Sequence, residues 1–329
     1  MSLDILSDVL RGTRLRGAVF FYLSFGQRWA TGAPAASEIA AAVLPGSEHV
    51  MEYHVLTRGA GWVAIAGQSP VRLSAGDIVM FPHGDAHVLS SAPGLQPQLI
   101  DVDWFMAHRN DDRPIPINDL GSGLTIGTPA EDAETSVVCG FLGCDLRPFN
   151  PLIANLPPIM HLPAGEDGQW IIDTLQQAVR ASCQRRPGSE VVLERISEML
   201  FVHAVRRYLD ALSEQSNGWL AGLRDRHLGR ALALLHEAPA EAWTVDELGR
   251  RVGLSRSALH ERFTELIGQP PMQYLTQWRM QVASKLLCNS KDTIASIALE
   301  VGYESEAAFA RAFKRSVGTP PAAWRRQRS

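Results

Sequence analysis

The fold of this chain follows from the stretch Leu248-Gly-Arg-Arg-Val-Gly-Leu-Ser-Arg-Ser-Ala-Leu-His-Glu-Arg-Phe263, whose pattern recurs further along the sequence. The second copy is Ile297-Ala-Leu-Glu-Val-Gly-Tyr-Glu-Ser-Glu-Ala-Ala-Phe-Ala-Arg-Ala-Phe313, with one residue inserted near Glu304. Each copy predicts a helix, a turn at Gly253 or Gly302, an N-cap at Ser255 or Ser305, and a second helix. The repeat therefore predicts two helix-turn-helix units in one chain.

The apolar residues of each copy predict its buried face. Leu259 and Phe263 are four positions apart on the second helix, so they share a face and pack against the first helix. The first helix contributes Leu248 and Val252, and the corresponding residues of the second copy are Ile297, Val301, Phe309 and Phe313. Between the copies, Pro271 and the apolar stripe after it predict one long helix that holds the two units at a fixed separation. The stripe consists of Tyr274, Leu275, Trp278, Val282 and Leu286.

The opposite face of each second helix is free to contact a partner. In the first copy this face carries Arg256, Ser257, His260 and Glu261. In the second copy it carries Glu306, Ala307, Ala310 and Arg311, followed by Lys314 and Arg315. A helix of this kind fits the major groove of double-stranded DNA with its N-terminal half near the base edges. Two such units could read two successive groove segments, about one helical turn apart.

The charge distribution agrees with a DNA-binding segment at the carboxyl end. From Asp225 onward there are 15 lysines and arginines against 11 acidic residues, a net charge of +4. The whole chain carries −4, so the remainder carries −8. A basic segment on an acidic body is typical of a phosphate-binding module joined to another domain, although so small an asymmetry also arises by chance.

Residues 225–329 resemble the DNA-binding domain of the AraC/XylS family of transcriptional regulators. The matching motifs are Gly268-x-Pro-Pro-x-x-Tyr-Leu-x-x-x-Arg, Ile297-Ala-x-x-x-Gly-Tyr-x-Ser, Phe309-x-Arg-x-Phe-Lys and Gly318-x-Pro-Pro-x-x-Trp-Arg. The resemblance covers essentially the last third of the chain. It implies that promoter DNA is a partner and that the regulator works with RNA polymerase.

The same resemblance implies base-facing positions at Ser257, His260 and Glu261 in the first unit and at Ala307, Ala308 and Arg311 in the second. Glu261 can accept a hydrogen bond from cytosine but would repel phosphate, and the two alanines offer only apolar contact, for example to a thymine methyl. Arg311 is therefore the strongest candidate for a base contact. Lys314, Arg315 and Arg325 are expected at phosphates, which position a protein without specifying sequence, or else are solvated surface charges.

The front half of the chain has a different pattern. After a short helix at 3–12, β-type runs with Gly, Pro and Asp punctuation extend from Ala18 to about Asp103 and predict an all-β barrel or sandwich. Residues 105–135 predict a loop with one strand near Leu124, and another strand starts at Ser136. Helical periodicity then predicts two helices, at 169–183 and 190–212, followed by a polar linker at 213–218.

The run Gly76-x5-Pro82-x-Gly84-x2-His87 matches the second motif of the cupin barrels. With Tyr53-His-Val, Cys139-Gly and Asn150-Pro-Leu-Ile-x-x-Leu-Pro, it makes the front half similar to the cupin-type sensory domain of many AraC-family regulators. The resemblance implies a small-molecule or stress signal as effector. We therefore expect an α+β chain with a cupin-like β-barrel at 1–165, a helical linker and dimerisation segment at 166–218, and an all-α double helix-turn-helix domain at 219–329.

Three front-half residues are candidate ligands of a divalent metal ion. Glu52 and His54 alternate along a predicted strand, so they share a face, and His87 ends the cupin motif. Two imidazoles and a carboxylate are suitable metal ligands. However, the His-x-His pair followed by Glu of the metal-binding cupins is missing, and His49 or His83 could contribute only if the fold brings them close. The favoured interpretation is that these residues are hydrogen-bonded core or pocket lining.

The four cysteines do not have a CxxC or zinc-finger spacing. Cys139 and Cys144 are a candidate redox pair if Cys139 lies in a strand and Cys144 in the following turn; the favoured alternative is that both are small buried apolar residues. Cys183 and Cys288 are expected to be packing residues. With no leader-like amino terminus and no apolar run of about 18 residues, the chain is expected to be soluble and cytoplasmic.

These patterns predict a homodimeric, non-enzymatic transcription regulator whose promoter binding responds to a small molecule or an oxidant. A first alternative is a cupin-type metalloenzyme, such as a dioxygenase or isomerase, with an accessory DNA-binding domain. A second is a constitutive architectural DNA-binding protein, whose affinity would not depend on any small molecule and which would leave the barrel without a role.

Overall fold

The computed structural model of the chain describes residues 4–111, 113–121, 123–213 and 217–328, and for residues 166–168 it describes the backbone alone. Residues 214–216 of the predicted linker and residue 3 of the predicted first helix lie outside this range. The chain divides into two compact units. The sheet unit comprises Arg14–Asp145 and Leu156–Asp210, and the helical unit comprises Met1–Thr13, Leu146–Asn155 and Ala211–Ser329.

The sheet unit contains twelve strands among its described residues. They are β1 (Arg16–Phe25), β2 (Ala30–Ala33), β3 (His49–Arg58), β4 (Ala60–Ile65), β5 (Val71–Ser74), β6 (Ile78–Phe81), β7 (His87–Ser90), β8 (Gln98–Leu99), β9 (Ile115–Asp119), β10 (Thr125–Ile126), β11 (Thr135–Cys144) and β12 (Met160–Leu162). One sheet has the order β10-β9-β1-β11-β3-β6-β12, and the other has the order β5-β4-β7-β2-β8. The predicted α+β class is confirmed, but the described strands form these two sheets and not one closed barrel.

One hydrophobic core holds the sheet unit together. It includes Phe20 and Phe141 from the larger sheet and Val63 and Leu89 from the smaller one, all nearly inaccessible to solvent. The central strand β11 is buried along its whole length, as expected for a strand covered on both faces. Gly140 in this strand leaves room for a neighbouring ring, because a Cβ there would overlap Tyr53 of β3.

Four helices complete the sheet unit: α2 (Ala36–Val43), α3 (Val102–Ala107), α4 (Glu166–Cys183) and α5 (Ser189–Ala211). The predicted helix pair is present, with ends shifted by up to three residues. Both helices bury apolar side chains, including Leu175 of α4 and Leu200 of α5. The Tyr53 and Ser197 hydroxyl groups lie 2.6 Å apart and join α5 to β3. Because of this packing, residues 166–210 belong to the sheet unit, where the sequence predicted a separate linker segment.

The helical unit contains α1 (Ile5–Gly12), a short 3-10 helix (Ile153–Asn155), α6 (Trp219–Arg224), α7 (Arg226–Glu237), α8 (Val245–Val252), α9 (Arg256–Ile267), α10 (Pro271–Asn289), α11 (Ile294–Glu300), α12 (Glu306–Val317) and α13 (Pro321–Arg328). Two segments from the front of the chain join it, in contrast to the predicted boundary at 165. Gln281 of α10 donates to the Gly12 carbonyl at 3.1 Å and accepts from the Phe149 amide at 3.1 Å. One buried amide therefore satisfies the backbone of both segments.

The predicted loop at 105–135 contains more regular structure than the sequence indicated. Strand β9 pairs in parallel with β1, with Ile115 opposite Phe21, and β10 pairs with β9. Ile115 and Ile117 are buried against the core. Parallel pairing with a strand about ninety residues earlier has no local sequence signal, which explains the omission.

No helix among the described residues is both long enough and apolar enough to cross a lipid bilayer.

Candidate DNA interface and buried histidine cluster

The first helix-turn-helix unit consists of α8 and α9, and its local chemistry matches the prediction. Gly253 ends α8 in the left-handed conformation, with φ 78°, which a glycine adopts without steric cost. The Ser255 hydroxyl then caps α9 by accepting from the Ala258 amide at 3.2 Å. Leu259 and Phe263 are completely buried. These features fix the direction of α9 and hold its other face outward.

The outward face of α9 carries the predicted residues of the first unit. Arg256, Ser257, His260 and Glu261 are all exposed. Arg256 lies 3.4 Å from the Asp246 carboxylate, and both side chains are well exposed. An ion pair in water contributes little stability, so Arg256 can exchange this partner for a phosphate at small cost.

The second unit repeats this construction in α11 and α12. The Ser305 hydroxyl accepts from the Ala308 amide at 3.2 Å, and Phe309 and Phe313 are completely buried. Gly302, with φ 84°, lies against the backbone of Ala240, where a Cβ would overlap the chain. Both the backbone angle and the close approach therefore require glycine in this turn.

The outward face of α12 is smaller and more basic than that of α9. Ala307, Arg311, Lys314 and Arg315 are exposed, and Ala308 is half-buried. Ala307 and Ala308 keep the first turn of the helix small except at Glu306, whose longer acidic side chain is also exposed. Arg311 is the first long basic side chain along this face.

Arg325, predicted to contact a phosphate or to be a solvated surface charge, is half-buried and bonds to the chain itself. Its Nε donates to the Leu287 carbonyl at 3.0 Å, and its Nη2 donates to the Asp292 carbonyl at 2.7 Å. These bonds satisfy carbonyls at and beyond the end of α10. The motif alone could not reveal these bonds, which give Arg325 a structural role in the second unit, while its contact with a phosphate stays a prediction.

The sheet unit brings together the predicted ligand residues Glu52, His54 and His87. Glu52 and His54 lie on one face of β3, and His87 is the first residue of β7 in the other sheet. All three side chains are buried, and one ligand atom from each lies within 4.8 Å of the others. Cys139 of β11, which the sequence suggested as half of a redox pair, also joins this cluster. It lies directly opposite His54 in the strand register.

The hydrogen bonds of the cluster determine where its protons lie. His87 Nδ1 is 2.9 Å from the Asp85 carbonyl, which can only accept, so Nδ1 is protonated and Nε2 of the neutral ring has a free lone pair. His54 Nε2, 2.6 Å away, therefore donates to His87 Nε2. His54 Nδ1 is then an acceptor, and the Cys139 thiol donates to it at 2.8 Å.

Burial keeps the members of this cluster uncharged. It raises the pKa of Glu52 to about 8 and lowers the pKa of His87 to about 4. Burial and the neighbouring His87 lower the pKa of His54 well below its ordinary value. Glu52 Oε1 lies 3.8 Å from His54 Nε2 and 4.0 Å from His87 Nε2, while Oε2 has no hydrogen-bond partner among the described residues.

Two further histidines that could have joined this cluster have other partners. His49 Nε2 lies 2.6 Å from the Pro82 carbonyl, and His83 Nε2 lies 2.9 Å from the Leu156 carbonyl. A cavity of about 20 Å³ adjoins the cluster, and its walls are mostly apolar. They include Phe21, Leu23, Leu89, Ile100 and Phe105.

The structure does not meet the condition for a disulfide between Cys139 and Cys144. Cys144 is the last residue of β11 itself and does not lie in a turn after it. Five residues of extended strand separate the two Cα atoms by roughly 16 Å and place the side chains on opposite faces. A disulfide needs Cα atoms within about 7 Å. Both thiols are free and buried, while Cys183 and Cys288 are half-buried.

Comparison with known proteins adds independent findings. Residues 4–210 match the family described as "Cupin", and residues 248–327 match one described as "Helix-turn-helix domain". An AraC-like transcription regulator of Streptomyces lividans is 31% identical over 332 residues, covering 98% of each chain. One of Streptomyces antibioticus is 30% identical over 332 residues, 98% of this chain and 99% of its own. The HTH-type transcriptional regulator AlkR of Acinetobacter baylyi is 27% identical, covering 99% of this chain and 100% of its own.

Proposed function

This chain belongs to the AraC-like transcription regulators, and from that membership we propose that a signal received in its cupin domain controls its occupancy of promoter DNA. It is a DNA-binding transcription regulator. The observation that carries the proposal is the pair of capped helix-turn-helix units, each with an outward second helix, in a chain that also holds a buried cluster of titratable groups. The pair of helix-turn-helix units binds DNA, and the buried cluster of titratable groups receives the signal.

The two recognition helices enter successive major-groove segments. On α12, Arg311 donates to a guanine edge, and the exposed Ala307 contacts a thymine methyl with the half-buried Ala308 behind it. On α9, Ser257, His260 and Glu261 face the bases. Phosphate contacts come from Arg256, Lys314 and Arg315, whose exposure leaves them free to reach the backbone of the DNA.

The chain acts as a homodimer through α4 and α5. Trp170 of α4 and Val192 and Met199 of α5 are 53%, 48% and 41% exposed, so both helices offer apolar side chains to a second copy. Val192 and Met199 are seven positions apart, so they lie on one face of α5. A sedimentation measurement that gives the mass of a monomer at micromolar concentration would contradict this assignment.

We expect the buried Glu52, His54 and His87 cluster of the cupin domain to receive a signal and not to turn over an organic substrate. The cavity at the Glu52, His54 and His87 cluster has a volume of about 20 Å³, enough for a single water-sized group. An organic substrate needs a site several times larger, of about 300 Å³ or more. A signal bound here shifts the population of chains that can occupy two DNA sites near a promoter, where they act on RNA polymerase in the cytoplasm.

The test is a selection of DNA ligands from a random-sequence pool with the full chain. We expect enrichment of one sequence with two elements about one helical turn apart. Failure to enrich any sequence would contradict specific recognition. The affinity for the selected DNA is then measured with and without divalent metals, oxidants and a small-molecule cell extract. An affinity that is the same under every condition would support a constitutive DNA-binding protein and contradict control by a signal.

A further inference from the structure

We propose that a cleft at the surface of the sheet unit binds a small molecule that carries a phosphate group, and that Arg109, Arg113 and Arg186 hold this phosphate. The cleft has a volume of about 860 Å³ and is formed by the end of α2, the segment that follows α3 and the turn that joins α4 to α5. Among the described residues, it shares no lining residue with the cavity at the buried histidine cluster. It is therefore a second place in the sheet unit at which a molecule can bind.

Arginines dominate the charge of the cleft. Its described lining includes four arginines and two carboxylates, which are Arg109, Arg113, Arg185, Arg186, Asp111 and Glu190. Asp112 lies outside the described residues, and the arginines outnumber the acids with this residue included. The side chains of Arg109 and Arg186 are exposed and form no ion pair or hydrogen bond within the described part of the chain. Both are free to bind an anion.

The fold holds Arg113 in place at the cleft. Its guanidinium donates to the carbonyls of Ala42 at 3.2 Å, Val43 at 3.1 Å and Arg109 at 2.9 Å, and it lies 3.9 Å from the centroid of the Phe20 ring. A guanidinium has five N–H groups, so at least two remain for a ligand. Arg113 is half-buried, which lowers its pKa, and it forms no ion pair with a described carboxylate. A bound anion would supply the charge that water supplies to an exposed arginine.

The turn between α4 and α5 is joined to the wall that carries Arg113. The Ser182 hydroxyl, near the end of α4, donates to the Arg113 carbonyl at 2.7 Å. In the turn, the Arg185 amide donates to the Ser182 carbonyl at 2.7 Å. The Arg186 amide donates to the Ala181 carbonyl at 3.1 Å. These bonds give a preformed cleft, so little ordering of the backbone is needed when a ligand binds.

The charge and the size of the cleft define the class of ligand. A phosphate monoester carries about −1.5 to −2 charges at pH 7 and has three strong acceptor oxygens, so several guanidinium groups can bind it at once. Sites for small molecules have volumes of about 300–1,000 Å³. A cleft of about 860 Å³ therefore has space for an organic body beside the phosphate. Ala41, Ala42 and Pro45 line the cleft and offer this body an apolar surface.

The site is tested by calorimetric titration of the full chain with inorganic phosphate and with glucose 6-phosphate at constant ionic strength. We expect one site per chain, and Arg109→Ala and Arg186→Ala should each weaken binding at least tenfold, because each removes charge-assisted hydrogen bonds. Arg72→Ala is the matched control, since it removes an equal charge from an exposed position on β5 outside the cleft; it should bind like the wild type. No binding of inorganic phosphate by the wild type, or an equal loss in Arg72→Ala, would overturn the site.

A variant that strengthens binding separates the site from effects on folding. Glu190 lines the cleft, and its charge stabilises the cation of Arg113. It would repel a bound phosphate, so Glu190→Gln should strengthen phosphate binding about three- to tenfold. Unchanged or weaker binding would overturn the placement of the phosphate in this cleft. Succinate is titrated in parallel, and binding of succinate as tight as that of phosphate would overturn the assignment to phosphate compounds.

The cleft lies at the start of α5, so a ligand bound there would act on the proposed dimer. Ser189 begins α5 and lines the cleft, and Val192, which the helix offers to a second copy, follows three positions later. Glucose 6-phosphate should therefore change the affinity for the selected DNA at least fivefold. This consequence rests on the proposed function, whereas the binding site does not. Phosphate binding that leaves the DNA affinity unchanged would overturn the consequence alone, and failure to select any DNA sequence would contradict the proposed function alone.

Discussion

At the scale of single residues, the basic side chains Arg311 and Lys314 lie on the same helix but are expected to contact different parts of the DNA. Arg311 occurs early enough in α12 to reach a base edge, whereas Lys314 is one turn further along. A bidentate guanidinium discriminates between bases, while an ammonium group on a phosphate acts as a point charge. Substitution of each residue separates these roles.

Arg311→Ala should weaken binding to the selected DNA by about 1–3 kcal/mol and relax the preference at one base pair. The reason is the loss of hydrogen bonds to one base edge, with other contacts retained. The measurement is a repeated selection together with affinities for single-base variants. Arg230→Ala removes an equal charge from an exposed position on α7 and is the control. Unchanged affinity and unchanged base preference in Arg311→Ala would refute the base contact.

Lys314→Ala should weaken binding to all DNA sequences by a similar factor. Because one fewer phosphate is neutralised, the slope of log affinity against log salt concentration should become shallower by about 1. Affinities are measured over a range of salt concentrations on selected and random DNA. A loss confined to the selected sequence would instead place Lys314 at a base.

At the scale of elements, the buried imidazole of His236 links α7 to α10. The Trp219 indole donates to the Tyr274 hydroxyl at 2.9 Å, so the Tyr274 O–H is available to donate to His236 Nε2, 2.8 Å away. The His236 ring stacks on Trp278 at 3.8 Å between centroids. Burial lowers the pKa of His236 to about 3, so the ring is neutral in the folded chain.

His236 should make the helical unit sensitive to acid. Its folded-state pKa is below the value of about 6.5 in the unfolded chain, so between about pH 6.5 and 3 the unfolded state binds the extra proton. The free energy of unfolding should therefore fall as the pH falls through this window, by at most about 1.4 kcal/mol per pH unit from this group. Above pH 6.5 the group contributes no pH dependence.

The comparison of wild type with His236→Gln isolates this contribution. Glutamine can still accept from Tyr274 but does not titrate, so its unfolding free energy should change less between pH 6.5 and 4.5. Urea unfolding followed by tryptophan fluorescence measures both. Parallel pH dependences of the two proteins would mean that His236 is solvated or protonated in the folded state.

At the scale of the whole molecule, the buried cluster of Glu52, His54 and His87 and the DNA interface should be thermodynamically coupled. If zinc is the signal, its addition should change the affinity for the selected DNA by about 5- to 150-fold, the usual range of allosteric coupling. His87→Ala should abolish the change and keep the DNA affinity of the metal-free wild type. Linkage requires that saturating DNA change the zinc affinity by the same factor. A zinc effect that persists in His87→Ala would place its origin outside this site.

The local parts of this fold follow from the sequence alone. The repeat at 248–263 and 297–313 predicts the helices, the two serine caps and the buried phenylalanines, and all are present. Caps, glycine turns and helical periodicity depend on residues within four positions of each other, so they can be recognised without any tertiary contact. The cupin motif likewise placed His87 correctly as a buried residue.

Only the tertiary structure decides which distant residues meet. Cys139 lies beside His54 because β11 pairs with β3 in one register, and a shift by one residue would turn each side chain to the other face. Arg325 bonds to carbonyls 33 and 38 positions away. Residues 146–155 belong to the helical unit, although the segments before and after them belong to the sheet unit. Contacts of this kind depend on strand register, buried hydrogen bonding and the packing of whole elements. Local periodicity does not specify any of these, so the repeat identifies the DNA-binding units while the fold assembles the buried cluster.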